Sequence, residues 1–229
     1  MNLLHRLGSD VTQNISFPLM FTAKVAAISL ALHTVFGVLL GYYLGKKTSP
    51  VRSVVDTIVT LPLVFPPIAL GFLLLLLMGK TGWIGHFARD VLGVEIIFNL
   101  WGVVIAAFVA GLPLIVKPVQ AAVQSAATDL IEASYTLGKS ESKTFIYVVI
   151  PSIKRSIMSG LSLAFGRSLG EVGLTLMLGG NIVGRTNTLS LEIYNSVFTG
   201  EFARAGILAA ILACVSLVIL FMLKRFSAT

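Results

Sequence analysis

The longest polar interval between apolar runs of the chain is TDLIEASYTLGKSESKTFIYVVIPSIKRS, residues 128–156. Its pattern predicts two short helices joined by a turn. Asp129 can cap a helix start, and Glu132 can reach back to the Asp129 N–H in a capping box. Gly138 suits the left-handed end of that helix, and Pro151 suits the first position of the next one. One face of the first helix carries Leu130, Ser134 and Leu137. We call residues 128–151 the connector.

The composition of the 229 residues is that of a membrane protein. Hydrophobic residues make up 56%, charged residues 12%, and the mean hydropathy is +0.93, whereas a soluble domain carries about 25% charged residues. Several apolar runs have span length, which predicts one all-α polytopic domain, residues 1–229. The five expected spans are about 17–44, 54–78, 98–119, 157–178 and 205–223. A membrane re-entry of the glycine-rich segment 170–198 would make the count six.

The basic residues indicate the topology. The formal net charge is +7, but Lys and Arg cluster beside span ends, so we do not expect nucleic-acid binding. With the five expected spans, ten Lys and Arg residues fall on one side of the membrane and six on the other. Because the cytoplasmic side carries the excess of Lys and Arg, the connector and the C-terminus are placed in the cytoplasm and the N-terminus outside. The single cysteine, Cys214, excludes an intrachain disulfide.

The first two spans contain small residues and helix breakers. Glycines repeat every four residues at Gly37, Gly41 and Gly45, a spacing that predicts close packing against another helix. The second span contains Pro62, Pro66 and Pro67. Prolines free carbonyl groups from the helix, and such breaks are tolerated at membrane depth only against protein or a water-lined cavity. This span is therefore expected to face the protein interior. Residues 79–96 are expected to form a loop, with Trp83 and Phe87 at the membrane interface.

Two charged residues lie within the expected fourth span. Arg167 and Glu171 are four residues apart, so they share one helix face. Charges at membrane depth are costly unless they are paired or hydrated. Two interpretations stay open: a structural ion pair that locks neighbouring spans, or part of a transport path or gate. Arg167 beside a path would suit an anionic substrate, although Glu171 would cancel much of its field.

The connector resembles the cytoplasmic loop shared by membrane subunits of binding-protein-dependent ABC importers. That pattern is EAA, three residues, G, nine residues and I-x-L-P, and the chain departs from it at Ser134, Val148 and Ile150. In that family the loop forms coupling helices that dock into a groove on the ATPase subunit. The resemblance implies this role for Asp129, Glu132, Ala133, Ser134, Leu137, Gly138 and Pro151. The competing interpretation is an ordinary amphipathic loop at the membrane surface.

Two further stretches are similar to molybdate permease subunits. They are TLPLVFPP at 60–67 with MGK at 78–80, and FGRSLGEVG at 165–173 with Asn181-Ile182, Gly184-Arg185-Thr186 and Thr188. Tungstate and sulfate permeases share parts of these signatures, and Gly179-Gly180-Asn181 leans toward the tungstate type. The resemblance implies a molybdate permease, with tungstate or sulfate as alternative substrates. The path and gate candidates are Pro62, Pro66, Pro67, Arg167 and Glu171.

The resemblance also implies partners. These are a second copy of the chain, two copies of a cytoplasmic ABC ATPase, and an extracytoplasmic binding protein that delivers molybdate to the bacterial cytoplasmic membrane. Transport would proceed by alternating access between two states. No glycine-rich phosphate loop ending in Lys-Ser or Lys-Thr occurs in the sequence. We therefore expect ATP and Mg²⁺ to bind the ATPase, and this chain to bind no cofactor.

A membrane-embedded enzyme or a scaffold protein is the alternative from a different class. An intramembrane enzyme needs paired carboxylates, a serine with a base, or a histidine-rich metal site. The histidines are scattered, and Glu171 is the only carboxylate deep in an expected span. We therefore predict no catalytic residue and no metal site. A scaffold would differ from an importer subunit by failing to co-purify with an ATPase.

Overall fold

The computed structural model describes residues 2–46 and 49–228, and these residues form helices without any β-strand. The expected all-α class is confirmed. In chain order the α-helices of the described residues are α1 (Asn2–Leu32), α2 (Val38–Gly45), α3 (Pro50–Val64), α4 (Pro67–Met78), α5 (Trp83–Leu92), α6 (Leu100–Ala122), α7 (Thr128–Thr136), α8 (Glu141–Thr144), α9 (Ile150–Ser152), α10 (Lys154–Leu169), α11 (Gly173–Gly179), α12 (Leu189–Phe198) and α13 (Phe202–Ala228). Three π-helical segments continue one α-helix into the next: His33–Gly37, Val123–Ala127 and Phe145–Val149.

Three stretches of the described chain are long and apolar enough to cross a membrane. They are Ile15–Gly45, Leu100–Ser125 and Phe202–Met222, with 31, 26 and 21 residues, and about 20 apolar residues suffice for a span. Two bent pairs also qualify when each is taken together: Pro67–Met78 with Trp83–Val91, bent by 44°, and Glu141–Ser152 with Lys154–Leu169, bent by 75°. Counting each pair as one span gives up to five in the described residues, the expected number. The bounds of the two pairs differ from the expected second and fourth spans, 54–78 and 157–178.

The expected second span is divided. Residues 54–78 belong to two helices, α3 and α4, because Phe65 is extended with ψ of 140° and Pro66 has no N–H to donate. The segment 79–96, expected to be a loop, contains the helix α5. Its residues Trp83, Phe87 and Val91 repeat every four positions and are exposed, so they form one apolar face.

The expected fourth span is also divided. Residues 157–178 belong to α10 and α11, which are separated at Gly170. The Leu174 N–H donates to the Glu171 Oε1 over 2.8 Å, and this bond satisfies a free amide in the first turn of α11. A hydropathy pattern does not reveal such a side-chain cap, which explains why a single helix was predicted.

Helix α6 forms the centre of the fold, because α1, α2, α3, α10 and α11 all pack against it. Added Cβ atoms on Gly41 and Gly45 would lie 2.6 Å from the Cβ atoms of Val119 and Val123 respectively. Glycine is therefore required for the close approach of α2 and α6. The prediction that the glycine repeat marks a helix contact is confirmed.

Candidate functional site

The first connector helix, α7, continues α6 without a break. Thr128 is helical, with φ of −59° and ψ of −53°, and its Oγ1 donates to the Gln124 carbonyl over 3.0 Å. Asp129 therefore lies inside a continuous helix, and the predicted capping box with Glu132 is wrong. No residue of Val123–Ala127 stops the helix, which instead widens there into a π-helical turn.

The first connector helix ends where the sequence predicted. Gly138 has φ of +76°, the left-handed conformation that glycine adopts readily. The N–H groups of Gly138 and Lys139 donate to the carbonyls of Tyr135 and Ser134 over 2.9 and 3.1 Å. No atom lies within 4 Å of an added Cβ at this glycine, so the requirement is conformational and not steric.

Pro151 was predicted to begin the helix that follows the second connector helix. This prediction is wrong, because that helix, α10, begins at Lys154. The second connector helix runs from α8 through Phe145–Val149 into α9, and Pro151 lies in α9. The chain bends one residue after α9, at Ile153, where φ is −107° and ψ is 13°. A π-helical turn directly before the proline widens the helix, which relieves the clash between its ring and a preceding carbonyl.

A buried hydrogen bond joins the two connector helices. The Ser134 Oγ lies 2.8 Å from the Thr144 Oγ1, and both side chains are buried. The rest of the helix surface is open: Glu132 and Ala133 are exposed, and Leu137, directly after α7, is 78% exposed. Leu130 and Leu137, predicted to share a face with Ser134, are thus exposed while Ser134 is buried. The connector therefore combines internal packing with an exposed surface of mixed polar and apolar character. A groove of about 590 Å³ runs beside it, lined by Lys46, Arg52, Gln124, Glu132 and Tyr135 among others.

The break between α3 and α4 packs against the break between α10 and α11. An added Cβ on Gly173 would lie 3.0 Å from the Cβ of Pro67, so the first turn of α11 packs against the first turn of α4. Pro66 and Pro67 are exposed at this contact, while Pro62 is half-buried within α3, four residues before Pro66. Segments more than 100 residues apart in sequence thus come together near Glu171.

Arg167 and Glu171 form an ion pair across the break between α10 and α11. The Arg167 guanidinium lies 2.5 Å from the Glu171 Oε2, without the geometry of a hydrogen bond. The Arg167 side chain is 33% exposed and that of Glu171 is 2% exposed. A cavity of about 10 Å³ beside the carboxylate is lined in part by Thr22, Ser168, Thr175 and Thr188. This volume suits one water molecule, and the bond from the Leu174 N–H reduces the cost of burying the carboxylate.

Other ion pairs were not predicted from the sequence. Lys117 Nζ lies 2.7 Å from Asp56 Oδ1 and joins α6 to α3, and Arg204 lies 2.6 Å from Glu192 Oε1 and joins α13 to α12. Lys46 pairs with Glu141 and joins the end of the first span to α8. The sequence marks these residues only as charges near span ends. In the part of the chain that the structure describes, no group of three or more His, Cys, Asp or Glu side chains could hold a metal ion.

Apolar helices of span length, together with helix breaks that pack against other helices, are typical of an integral membrane protein. Residues 37–227 match the family described as "Binding-protein-dependent transport system inner membrane component". The chain belongs to this family.

Relatives with known names extend this result. The chain is 35% identical over 212 residues to the Molybdenum transport system permease protein ModB of Escherichia coli (strain K12), covering 91% of this chain and 93% of that protein. It is 40% identical over 178 residues to the Probable transport system permease protein NifC of Clostridium pasteurianum, covering 78% and 62%. It is 31% identical over 216 residues to the Sulfate transport system permease protein CysW of Synechocystis sp., covering 93% and 78%.

A solved structure supports the fold. One chain of a bacterial alginate ABC transporter, solved in complex with an alginate-bound periplasmic protein, superposes with a TM-score of 0.72 at 19% identity, covering 93% of this chain and 78% of that one. The family match and the named relatives confirm the resemblance to ABC importer permeases. The chain is a permease subunit of the inner membrane, a transport component and not an enzyme.

Proposed function

We propose that this chain is the membrane subunit of an ATP-driven importer that moves molybdate across the inner membrane by alternating access. The observation that supports molybdate as the substrate is the 35% identity to a molybdenum permease over nearly the full length of both proteins. Sulfate is the second candidate, because a sulfate permease is 31% identical over 93% of the chain. Tungstate is a further candidate, supported by Gly179-Gly180-Asn181.

The connector is the proposed docking surface for the ATPase. Its exposed Glu132, Ala133 and Leu137 offer the mixed polar and apolar chemistry of a protein interface. The Ser134–Thr144 hydrogen bond holds α7 and α8 together, so force applied to one helix reaches the other. Two ATPase copies would bind ATP and Mg²⁺ and move two connectors, one in each permease subunit.

The break between α3 and α4 supports a homodimer with a path between the copies. Val64 is 79% exposed directly before the break, and Phe65, Pro66 and Pro67 are also exposed. Irregular backbone at membrane depth is stable against protein or water but not against lipid. A second copy of the chain and a hydrated path would cover this surface. Within this proposal the path and gate residues are Pro62, Pro66, Pro67, Arg167 and Glu171.

The proposed orientation has the N-terminus outside and the connector and C-terminus in the cytoplasm, following the distribution of Lys and Arg. This places the connector within reach of a cytoplasmic ATPase. An extracytoplasmic binding protein would deliver the oxyanion at the opposite end. The superposed alginate transporter chain, solved with its periplasmic protein, supports this arrangement.

Uptake of labelled molybdate in cells with and without the gene tests the substrate, with unlabelled tungstate and sulfate as competitors. We expect uptake to need the gene, and tungstate but not sulfate to compete strongly. Strong competition by sulfate would favour the sulfate alternative. Gene-independent uptake would contradict a role in molybdate import.

A further inference from the structure

The last turn of the first span, residues 42–46, lies between α6 and the connector, and we call it the span-end turn. Gly41 and Gly45 bring the backbone of α2 directly onto Val119 and Val123 of α6. The span-end turn is therefore fixed against the helix that leads into the connector. Side chains of the span-end turn also contact the second connector helix.

Two residues of the span-end turn contact the second connector helix. The buried Tyr42 ring packs against the Phe145 ring, with centroids 4.6 Å apart and planes inclined by 42°. Lys46 Nζ lies 4.5 Å from the centroid of the Tyr42 ring and forms an ion pair with Glu141 Oε1. An aromatic contact, a cation–π contact and an ion pair thus connect the first span to α8 and to the π-helical turn that follows it.

The connector can transmit movement to this contact. The Ser134–Thr144 hydrogen bond joins α7 to α8, and the Lys139 N–H donates to the Ser134 carbonyl across the turn. A displacement of the exposed surface of α7 therefore displaces α8. Because Glu141 and Phe145 belong to the displaced segment, the force also reaches Lys46 and Tyr42.

We propose that Lys46 and Tyr42 are positioning residues that carry connector movement into the first span, in parallel with the direct connections from the connector to α6 and α10. The inference rests on the proposed function. Glu141 and Phe145 stand at positions where the EAA-type pattern specifies no residue, so the pattern does not account for this contact. Without the ion pair, α8 would move while the first span lagged behind, and ATP would be hydrolysed with less transport.

The experiment uses the complete complex of permease, ATPase and binding protein in lipid vesicles, and measures molybdate transported per ATP hydrolysed. Lys46→Glu and Glu141→Lys should each lower this ratio about fivefold, which corresponds to about 1 kcal/mol, the upper range for an exposed ion pair. The double reversal restores the pair and should return the ratio to within about twofold of the wild type. Lys46→Arg keeps the charge and should retain the ratio.

The matched control is the ion pair between Lys80 and Glu95, 3.0 Å apart and also exposed, which contacts neither the connector nor the span-end turn. Its single reversals should leave the ratio unchanged. Normal ratios in Lys46→Glu and Glu141→Lys would overturn the inference, and so would a double reversal as defective as either single change while the ATPase still co-purifies. A wild-type complex without ATP-dependent uptake would instead overturn the proposed function, and this inference with it.

Discussion

The hydroxyl oxygens of Ser134 and Thr144 lie 2.8 Å apart in a buried contact between the two connector helices. Removing one hydroxyl leaves the other buried without a partner, at a cost of about 1–3 kcal/mol, whereas removing both is nearly neutral. Ser134→Ala and Thr144→Val should therefore each lower the melting temperature of the purified permease more than the double variant does. Thermal unfolding followed by tryptophan fluorescence measures this. Additive losses in the double variant would show that the two hydroxyls are not coupled.

The left-handed turn at Gly138 predicts a graded series of variants. Gly138→Asn should be tolerated best, because asparagine visits this conformation more readily than other side chains. Gly138→Ala should cost about 1–2 kcal/mol, because its Cβ crowds a carbonyl oxygen in the left-handed conformation. Gly138→Arg adds a long cation beside the proposed docking surface and should abolish ATP-coupled uptake while the protein still inserts into the membrane. Normal uptake by Gly138→Arg would remove the basis for docking at the connector.

Substitutions at Arg167 separate a structural ion pair from a path residue. Arg167→Ala leaves the buried Glu171 without its cation and should reduce uptake more than Arg167→Lys, which keeps a charge. Arg167→Ala combined with Glu171→Gln removes both charges. Recovery of uptake in that double variant would assign a structural role, and continued loss with normal folding would assign a role in the path or gate. Normal uptake in both single Arg167 variants would place this residue outside the path.

Helix α5 predicts a lipid contact at the edge of the membrane. Trp83 is 88% exposed on the same face as Phe87 and Val91, and tryptophan favours the membrane interface. The sequence has two tryptophans, so Trp101→Phe leaves Trp83 as the sole emitter. In vesicles, its fluorescence should be quenched more by lipids brominated near the headgroup than by lipids brominated near the bilayer centre. Emission typical of water, with no quenching by either lipid, would contradict this position.

Features set by local sequence were predicted well. The left-handed helix end at Gly138 needs only a glycine at the right place, and the close packing at Gly41 and Gly45 follows from a four-residue repeat. The first, third and last spans are long continuous helices with strong hydropathy. In each case the determining residues are neighbours in the chain or repeat at the helical period.

Features set by contacts between distant or competing groups were not predicted. Asp129 has the chemistry of a cap, but the helix from α6 simply continues through it. The break after α10 depends on Glu171 accepting the Leu174 N–H, which competes with a continuous apolar run. The pairing of Lys117 with Asp56 depends on which helices lie side by side. One-dimensional patterns contain no information on that arrangement.

ATP-driven import by the full complex is tested most directly in vesicles that contain the permease and ATPase, with the binding protein and labelled molybdate outside and ATP inside. The proposed function predicts molybdate accumulation that needs all three proteins, stops when ATP is replaced by a non-hydrolysable analogue, and is lost in Gly138→Arg. Accumulation without hydrolysable ATP, or equal accumulation by the wild type and Gly138→Arg, would contradict it.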